Sequence, residues 1–346
     1  MSSTFGRRST LPTSPATARA GRGIAALAVA GTCWGTTGVA VALIFRLGDT
    51  GPVAVSLWRL LGAIAVLAPV VALRRIRRRR VVPVSAPETA PHRPAARGTS
   101  RRRTGLLAAA GTGMALFQAA YFAAVQHTGV AVATVVTLGA APVLAALGGR
   151  LLLAERLGAG AVTAVAGAVV GLSILVAGGG PGSVAASGVG LALASAAGYA
   201  ATTLVGRELG RRRLADPYTL TLVSFGVAAV LLAPLAWLTG PLPHTAHPGE
   251  LALLLGYVVV VTTAVAYPLY FAGTGAVRAA TAAVVTLTEP LCAAVLAVTV
   301  LGERLGAASL AGMVVLAGSI VALARAESAP ARTRPAPRPA DRVGRR

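Results

Sequence analysis

Residues 284–309 read VVTLTEPLCAAVLAVTVLGERLGAAS, and residues 135–160 read VVTLGAAPVLAALGGRLLLAERLGAG. Each stretch carries a proline thirteen residues before a Glu-Arg-Leu-Gly turn, Pro142 with Glu155 and Pro290 with Glu303, and each turn leads into a glycine-rich apolar segment. Two copies of one unit therefore lie in tandem, and each copy closes with the same pair of segments.

Outward from these copies, apolar runs of about 20 residues recur along the chain, each long enough to cross about 30 Å of hydrocarbon at about 1.5 Å per residue. They are read at 23–45, 52–73, 104–125, 129–151 and 160–177, then at 187–206, 217–239, 250–272, 277–301 and 306–324. The composition agrees. Of 346 residues, 55% are hydrophobic and 12% charged, against about 25% charged in soluble domains. The reading is an all-α integral membrane protein of ten transmembrane helices, built as two five-helix repeats. Five is odd, so the second repeat enters the bilayer upside down relative to the first, an arrangement recurrent in transporters, with the site near midplane.

Every one of the 32 basic residues is Arg. Without lysine, a phosphate-binding loop, a Schiff base and a pyridoxal site are excluded. The net charge of +22 does not imply nucleic acid, because the arginines sit in short connections rather than on one folded face. Arg in short loops stays on the cytoplasmic side, which places both termini inside a cytoplasmic membrane. Only Arg46 and Arg304 fall in outer connections, and Arg59 lies within a span.

The expected organisation is a cytoplasmic basic tail at 1–22, a first repeat at 23–177 with a disordered Arg-rich connection at 74–103, an external linker at 178–186, a second repeat at 187–325, and a disordered cytoplasmic tail at 326–346. The run after the first tail is too long for a signal-peptide core and is expected to remain as a helix. Trp58, Trp237, Tyr218 and Tyr270 read as an interfacial aromatic belt. Cys33 and Cys292 read as small apolar fillers. His244, His247 and Glu250 have loose metal-like spacing, but prolines interrupt it and no fourth ligand is evident; no metal or other cofactor is expected.

Within these residues the chain resembles the drug/metabolite transporter superfamily, specifically the EamA-like transporters with two tandem domains. The resemblance rests on GTCWG at 31–35, on Arg59 within WRLLGA at 58–63 and on the two proline-to-Glu-Arg-Leu segments, and it extends over nearly all of the chain between the tails. It implies ten helices and transport, commonly efflux, of amino acids, other metabolites or drugs.

Several residues are candidates for the working site. Pro142 and Pro290 fall near midplane, where a proline removes a backbone hydrogen bond and can break the helix; freed carbonyls there can line a cavity, or the prolines are packing kinks. Glu289 is the acidic residue placed in the middle of a span, where charge is expensive and faces water or a partner. It reads as a proton-coupling or substrate-amine site, a structural hydrogen bond, or a partner of Arg59. Arg59 either snorkels outward or faces the interior toward a substrate carboxylate or Glu289.

Trp34 and Tyr199 occupy comparable places in the first and sixth spans and can stack on a substrate. Gln118, Tyr121, Thr137, Ser195, Thr202, Thr262, Thr263, Tyr267 and Thr286 add hydroxyls and an amide around a central polar chamber, although such groups in membrane helices often bond only a neighbouring helix. Glu155 and Glu303 read as capping or gating residues at the two symmetric turns.

The function this supports is a secondary transporter working by alternating access on a small amino acid-like or drug-like metabolite, an exporter by resemblance, with the lipid bilayer as solvent and protons as a candidate coupling ion. Monomer and homodimer stay open. A membrane-embedded enzyme would need a cluster of acid, base or metal ligands, and none is evident. A non-catalytic scaffold would give the mid-span prolines and acid no use. The chain offers no nucleotide-binding domain for ATP-driven pumping.

Overall fold

The computed structural model describes residues 15–48, 51–81, 97–156, 158–177, 185–240, 245–300 and 306–328. The first repeat comprises α1 (Pro15–Gly35), α2 (Thr37–Leu47), α3 (Pro52–Val81), α4 (Arg97–Leu153) and α5 (Ala159–Ala177). The second comprises α6 (Ala186–Arg211), α7 (Pro217–Thr239), α8 (Pro248–Val259), a π-helical turn (Val260–Val265), α9 (Ala266–Ala276), α10 (Ala279–Val285), α11 (Thr288–Thr299) and α12 (Ala307–Ser328). No strand occurs among the described residues; one isolated bridge pairs Gly48 with Thr245.

Among the described residues, eight helical stretches are long and apolar enough to cross a membrane: Thr17–Leu47, Pro52–Arg77, Ser100–His127, Val136–Leu153, Ala186–Arg211, Pro217–Thr239, Pro248–Ala276 and Ala279–Leu296. The segments that end the two repeats are shorter apolar helices, Ala159–Ile174 and Leu310–Leu323. Of the ten expected spans, eight are thus matched by such stretches among the described residues and the other two by shorter apolar helices. Helix also runs into both ends of the long Arg-rich connection, through α3 as far as Val81 and from Arg97 onward in α4. Residues 82–96 of that connection lie outside the described residues.

Although helical throughout, α4 is a hairpin. The Tyr121 hydroxyl lies 2.7 Å from Thr134 Oγ1, yet thirteen residues of straight helix would separate the two by about 20 Å. The chain reverses between them, as the separate segments 104–125 and 129–151 require. The two limbs embrace α6: Ser195 donates to the Phe117 carbonyl at 2.8 Å, and Thr137 donates to the Ala192 carbonyl at 3.1 Å.

Packing partners occur in matched pairs. α1 packs on α9 and α11, as α6 packs on α4; α3 packs on α7, and α5 on α12. Glycine sets the closest of these approaches. A Cβ at Gly198 of α6 would lie 2.6 Å from the Gly113 carbonyl oxygen and 2.6 Å from the Phe117 nitrogen, so backbone meets backbone with no room for a side chain. Small residues at such crossings let dispersion and polar contacts replace the hydrophobic drive that lipid does not supply.

Candidate functional site

The ninth predicted span is interrupted in its middle. α10 ends at Val285 and α11 begins at Thr288, and the chain turns between them through Leu287 N to Val284 O and Glu289 N to Thr286 O, both 3.0 Å. Pro290 falls in the first turn of α11, where a missing N–H costs no helical bond. Glu289 occupies the same first turn, where the positive end of the helix dipole favours a carboxylate. Pro142 does not match. It is buried inside α4, which stays helical on both sides of it, so the expected equivalence of the two prolines as helix breaks does not hold.

GTCWG seats α1 against this interruption. A Cβ at Gly31 would collide with the Thr288 hydroxyl and lie 2.9 Å from the Thr286 carbonyl oxygen; one at Gly35 would lie 2.7 Å from the Glu289 carbonyl oxygen. Thr288 also donates to the Ala28 carbonyl at 3.3 Å. This contact carries Trp34 into the core.

There the indole Nε1 of Trp34 donates to the Thr262 carbonyl at 3.0 Å. That carbonyl belongs to the π-helical turn, in which the Thr262 and Thr263 hydroxyls both donate to the Val258 carbonyl, at 2.9 and 2.7 Å. π-turns inside α-helices frequently mark functional sites. Trp34 packs on Tyr267 and Tyr270 at centroid distances of 4.9 and 5.3 Å, Tyr199 packs on Phe117 at 5.5 Å, and Phe225 on Tyr267 at 4.8 Å. Two hydroxyl pairs tie the rings to the helices, Tyr199 with Thr286 at 2.7 Å and Tyr270 with Thr203 at 2.6 Å.

The aromatic cluster draws on both repeats, but the expected polar chamber is closed. The void among Trp34, Met114, Phe117, Tyr199, Thr202, Tyr267 and Tyr270 is about 10 Å³, room for about one water.

Arg59 faces inward: its Nη2 donates to Gln118 Oε1 at 2.9 Å. Arg59 Nε and Gln118 Nε2 are buried with no partner, which leaves two costly unmade donors side by side. Glu289 makes no ion pair among the described residues. It is nevertheless within electrostatic reach of Arg59, Tyr121, Tyr199 and Tyr267. A carboxylate, a guanidinium with spare donors and an aromatic wall thus share one region.

Other sequence candidates fall elsewhere. Thr137 and Ser195 join α4 to α6, and Thr202 donates to Gly198 O at 3.0 Å and Ala110 O at 3.3 Å. Glu155 sits in the connection after α4, where Oε1 accepts from Arg207 Nε at 2.8 Å and Oε2 from the Ala279 amide at 3.0 Å. Glu303 and His244 lie outside the described residues. His247 and Glu250 approach to 3.8 Å.

Tyr270 corrects the aromatic-belt reading. It is 1% exposed at the heart of the cluster, whereas Trp237 is 77% exposed. The spacing of Tyr267 and Tyr270 on one helical face was the signal for it. Thr203, Phe117 and Phe225 had none beyond their place on interior spans.

A sequence model of the EamA-like transporter family matches residues 21–177 and 186–325, one match for each repeat. The chain is 28% identical over 203 residues to the uncharacterized transporter YwfM of Bacillus subtilis (strain 168), covering 59% of this chain and 67% of that protein. A solved crystal structure superimposes with a TM-score of 0.67 at 18% identity, over 87% of this chain and 96% of that one, a likeness of fold.

Proposed function

Because the chain belongs to the EamA-like transporter family of the drug/metabolite transporter superfamily, and is a multi-pass membrane transporter, we propose that it is a secondary transporter that exports a small amino acid-like metabolite by alternating access. Ten helices in two inverted halves, with both termini and the Arg-rich connections on the cytoplasmic side, complete this reading.

The observation that carries it is the place of Glu289, in the first turn of a helix that starts inside the bundle, within reach of an aromatic cluster to which both repeats contribute. Glu289 takes the cargo ammonium or a coupling proton, and Arg59 with Gln118 offers its spare donors to the cargo carboxylate. Trp34 and Tyr199 flank the path from opposite repeats. Exchange between two similar packings of the repeats would open the closed void of about 10 Å³ to each side in turn. Glu155, paired with Arg207 across the repeats, holds the cytoplasmic end shut.

Proteoliposomes holding the full chain and a mixture of the proteinogenic amino acids, with contents followed by mass spectrometry, test this. An imposed pH gradient should drive net movement of at least one member, and Glu289→Gln should leave flux that no longer responds to the gradient. An unchanged response in that variant removes Glu289 from coupling. Absence of movement above protein-free liposomes for every member removes the amino acid class.

A further inference from the structure

At the arginine-rich end of the bundle, acidic and basic side chains do not cancel. Glu155 holds Arg207 at 2.8 Å. Glu208 holds Arg102 at 3.1 Å, Arg211 at 2.7 Å, and Arg212 as well. Arg19 in α1, Arg103 in α4 and Arg213 beyond the end of α6 have no carboxylate partner among the described residues, and all three border a single cavity of about 500 Å³. Among the described residues Arg19 reaches the Gly275 carbonyl, at 3.5 Å. Asp216 brings one carboxylate to the same rim and also caps α7, accepting from Thr219 N at 3.2 Å and Thr219 Oγ1 at 2.7 Å.

The other walls are of a different kind. Leu214, Ala215 and Pro217 supply apolar surface, with Leu220 and Phe271 buried behind them at 2% exposure each. The volume falls within the range of about 300–1,000 Å³ usual for small-molecule sites. Three guanidiniums without an ion pair among the described residues, each a planar fork of donors suited to carboxylate or phosphate oxygens, meet there with the Asp216 carboxylate on the rim, beside a surface fit for an apolar body.

We propose that this cavity binds an amphipathic organic anion, a carboxylate or phosphate ester with an apolar portion resting on Leu214 and Pro217. The site is separate from the aromatic cluster but borders it, since Phe271 packs on Tyr270 at 5.1 Å. It also adjoins the pair that joins the repeats: the Gly275 carbonyl accepts from Arg207 at 3.1 Å. A soluble anion and the headgroup of an anionic phospholipid share this chemistry, and the proposal does not depend on what the protein transports.

The test uses the full chain in phosphatidylcholine nanodiscs, titrated calorimetrically with benzyl phosphate. A second arm uses nanodiscs containing phosphatidylglycerol, with lipid retained on the detergent-extracted protein counted by native mass spectrometry. The wild type should bind benzyl phosphate saturably, Arg103→Gln combined with Arg213→Gln should weaken binding roughly tenfold, and Arg211→Gln, whose guanidinium is already paired, should not. Added salt should weaken the wild type, because these side chains are exposed and screened. Retention of phosphatidylglycerol that is lost in the double variant, without benzyl phosphate binding, assigns the site to a lipid headgroup. Equal binding of both probes by wild type and double variant, or binding of neither by the wild type, overturns the proposal.

Discussion

Arg207 and Glu155 stand fifty-two residues apart in the chain and meet with Nε 2.8 Å from Oε1, joining the last connection of the first repeat to the first helix of the second. Their side chains are 16% and 9% exposed, so the pair is largely withdrawn from solvent. The second carboxylate oxygen accepts the Ala279 amide, and the guanidinium also reaches the Gly275 carbonyl. One ion pair therefore fastens the ends of α6, α9 and α10 to the close of α4.

Breaking that pair from one side leaves an uncompensated buried charge, which costs about 3 kcal/mol in comparable settings. Arg207→Leu and Glu155→Gln should each lower the unfolding midpoint of the detergent-solubilised protein. The combined variant should be destabilised by less than the sum of the two, with a coupling of about 0.5–3 kcal/mol. Additive effects would show that the two side chains act independently.

The Tyr199–Thr286 contact predicts an asymmetry. Thr286 Oγ1 donates to the Ala283 carbonyl at 2.9 Å, so the proton of the 2.7 Å contact comes from Tyr199. Tyr199→Phe leaves Thr286 still donating and should cost about 1 kcal/mol; Thr286→Val leaves a buried phenol without that acceptor and should cost about 1–3 kcal/mol. Denaturation curves of the two variants measure the difference, and the reverse ranking would assign the donor to Thr286.

Two glycines of the same helix should respond in opposite ways to one methyl group. Gly198→Ala places a Cβ 2.6 Å from the backbone of α4, whereas Gly190→Ala meets nothing within 4 Å. The first should abolish or sharply reduce the yield of monodisperse protein; the second should leave yield and thermal stability unchanged or slightly raised, since alanine favours the helix by about 0.8–1 kcal/mol. Size-exclusion profiles of matched preparations decide it.

Segment places and the tandem repeat were legible in the sequence because both are local: apolar length reports a span, and a repeated proline-to-Glu-Arg-Leu pattern reports duplication. The sequence placed Trp34 well inside its span but left Arg59 open between an outward and an inward direction, which the contact with Gln118 decides. Tyr270 was misread because its distance from a span end suggests an interface, while the fold around it decides burial. Pro142 and Pro290 look alike in sequence, yet one lies within an unbroken helix and the other in the first turn after an interruption. The interruption lies at the glycine-lined contact of α1 with residues 286–289, and no short motif records a contact between helices so far apart in the chain. The collapse of the chamber onto aromatic rings is likewise a property of packing, which hydroxyl content cannot report.

A π-helical turn stores slack. The segment Val260–Val265 is wound wider than its neighbours, and tightening it into α-helix would advance everything beyond by about one residue, roughly 100° of rotation and 1.5 Å of travel. Tyr267 and Tyr270 lie on that moving portion, so a small local rewinding would sweep both phenols away from Trp34 at once. The helix can thus behave as a screw thread, turning a change in a single loop of backbone into the removal of two plugs.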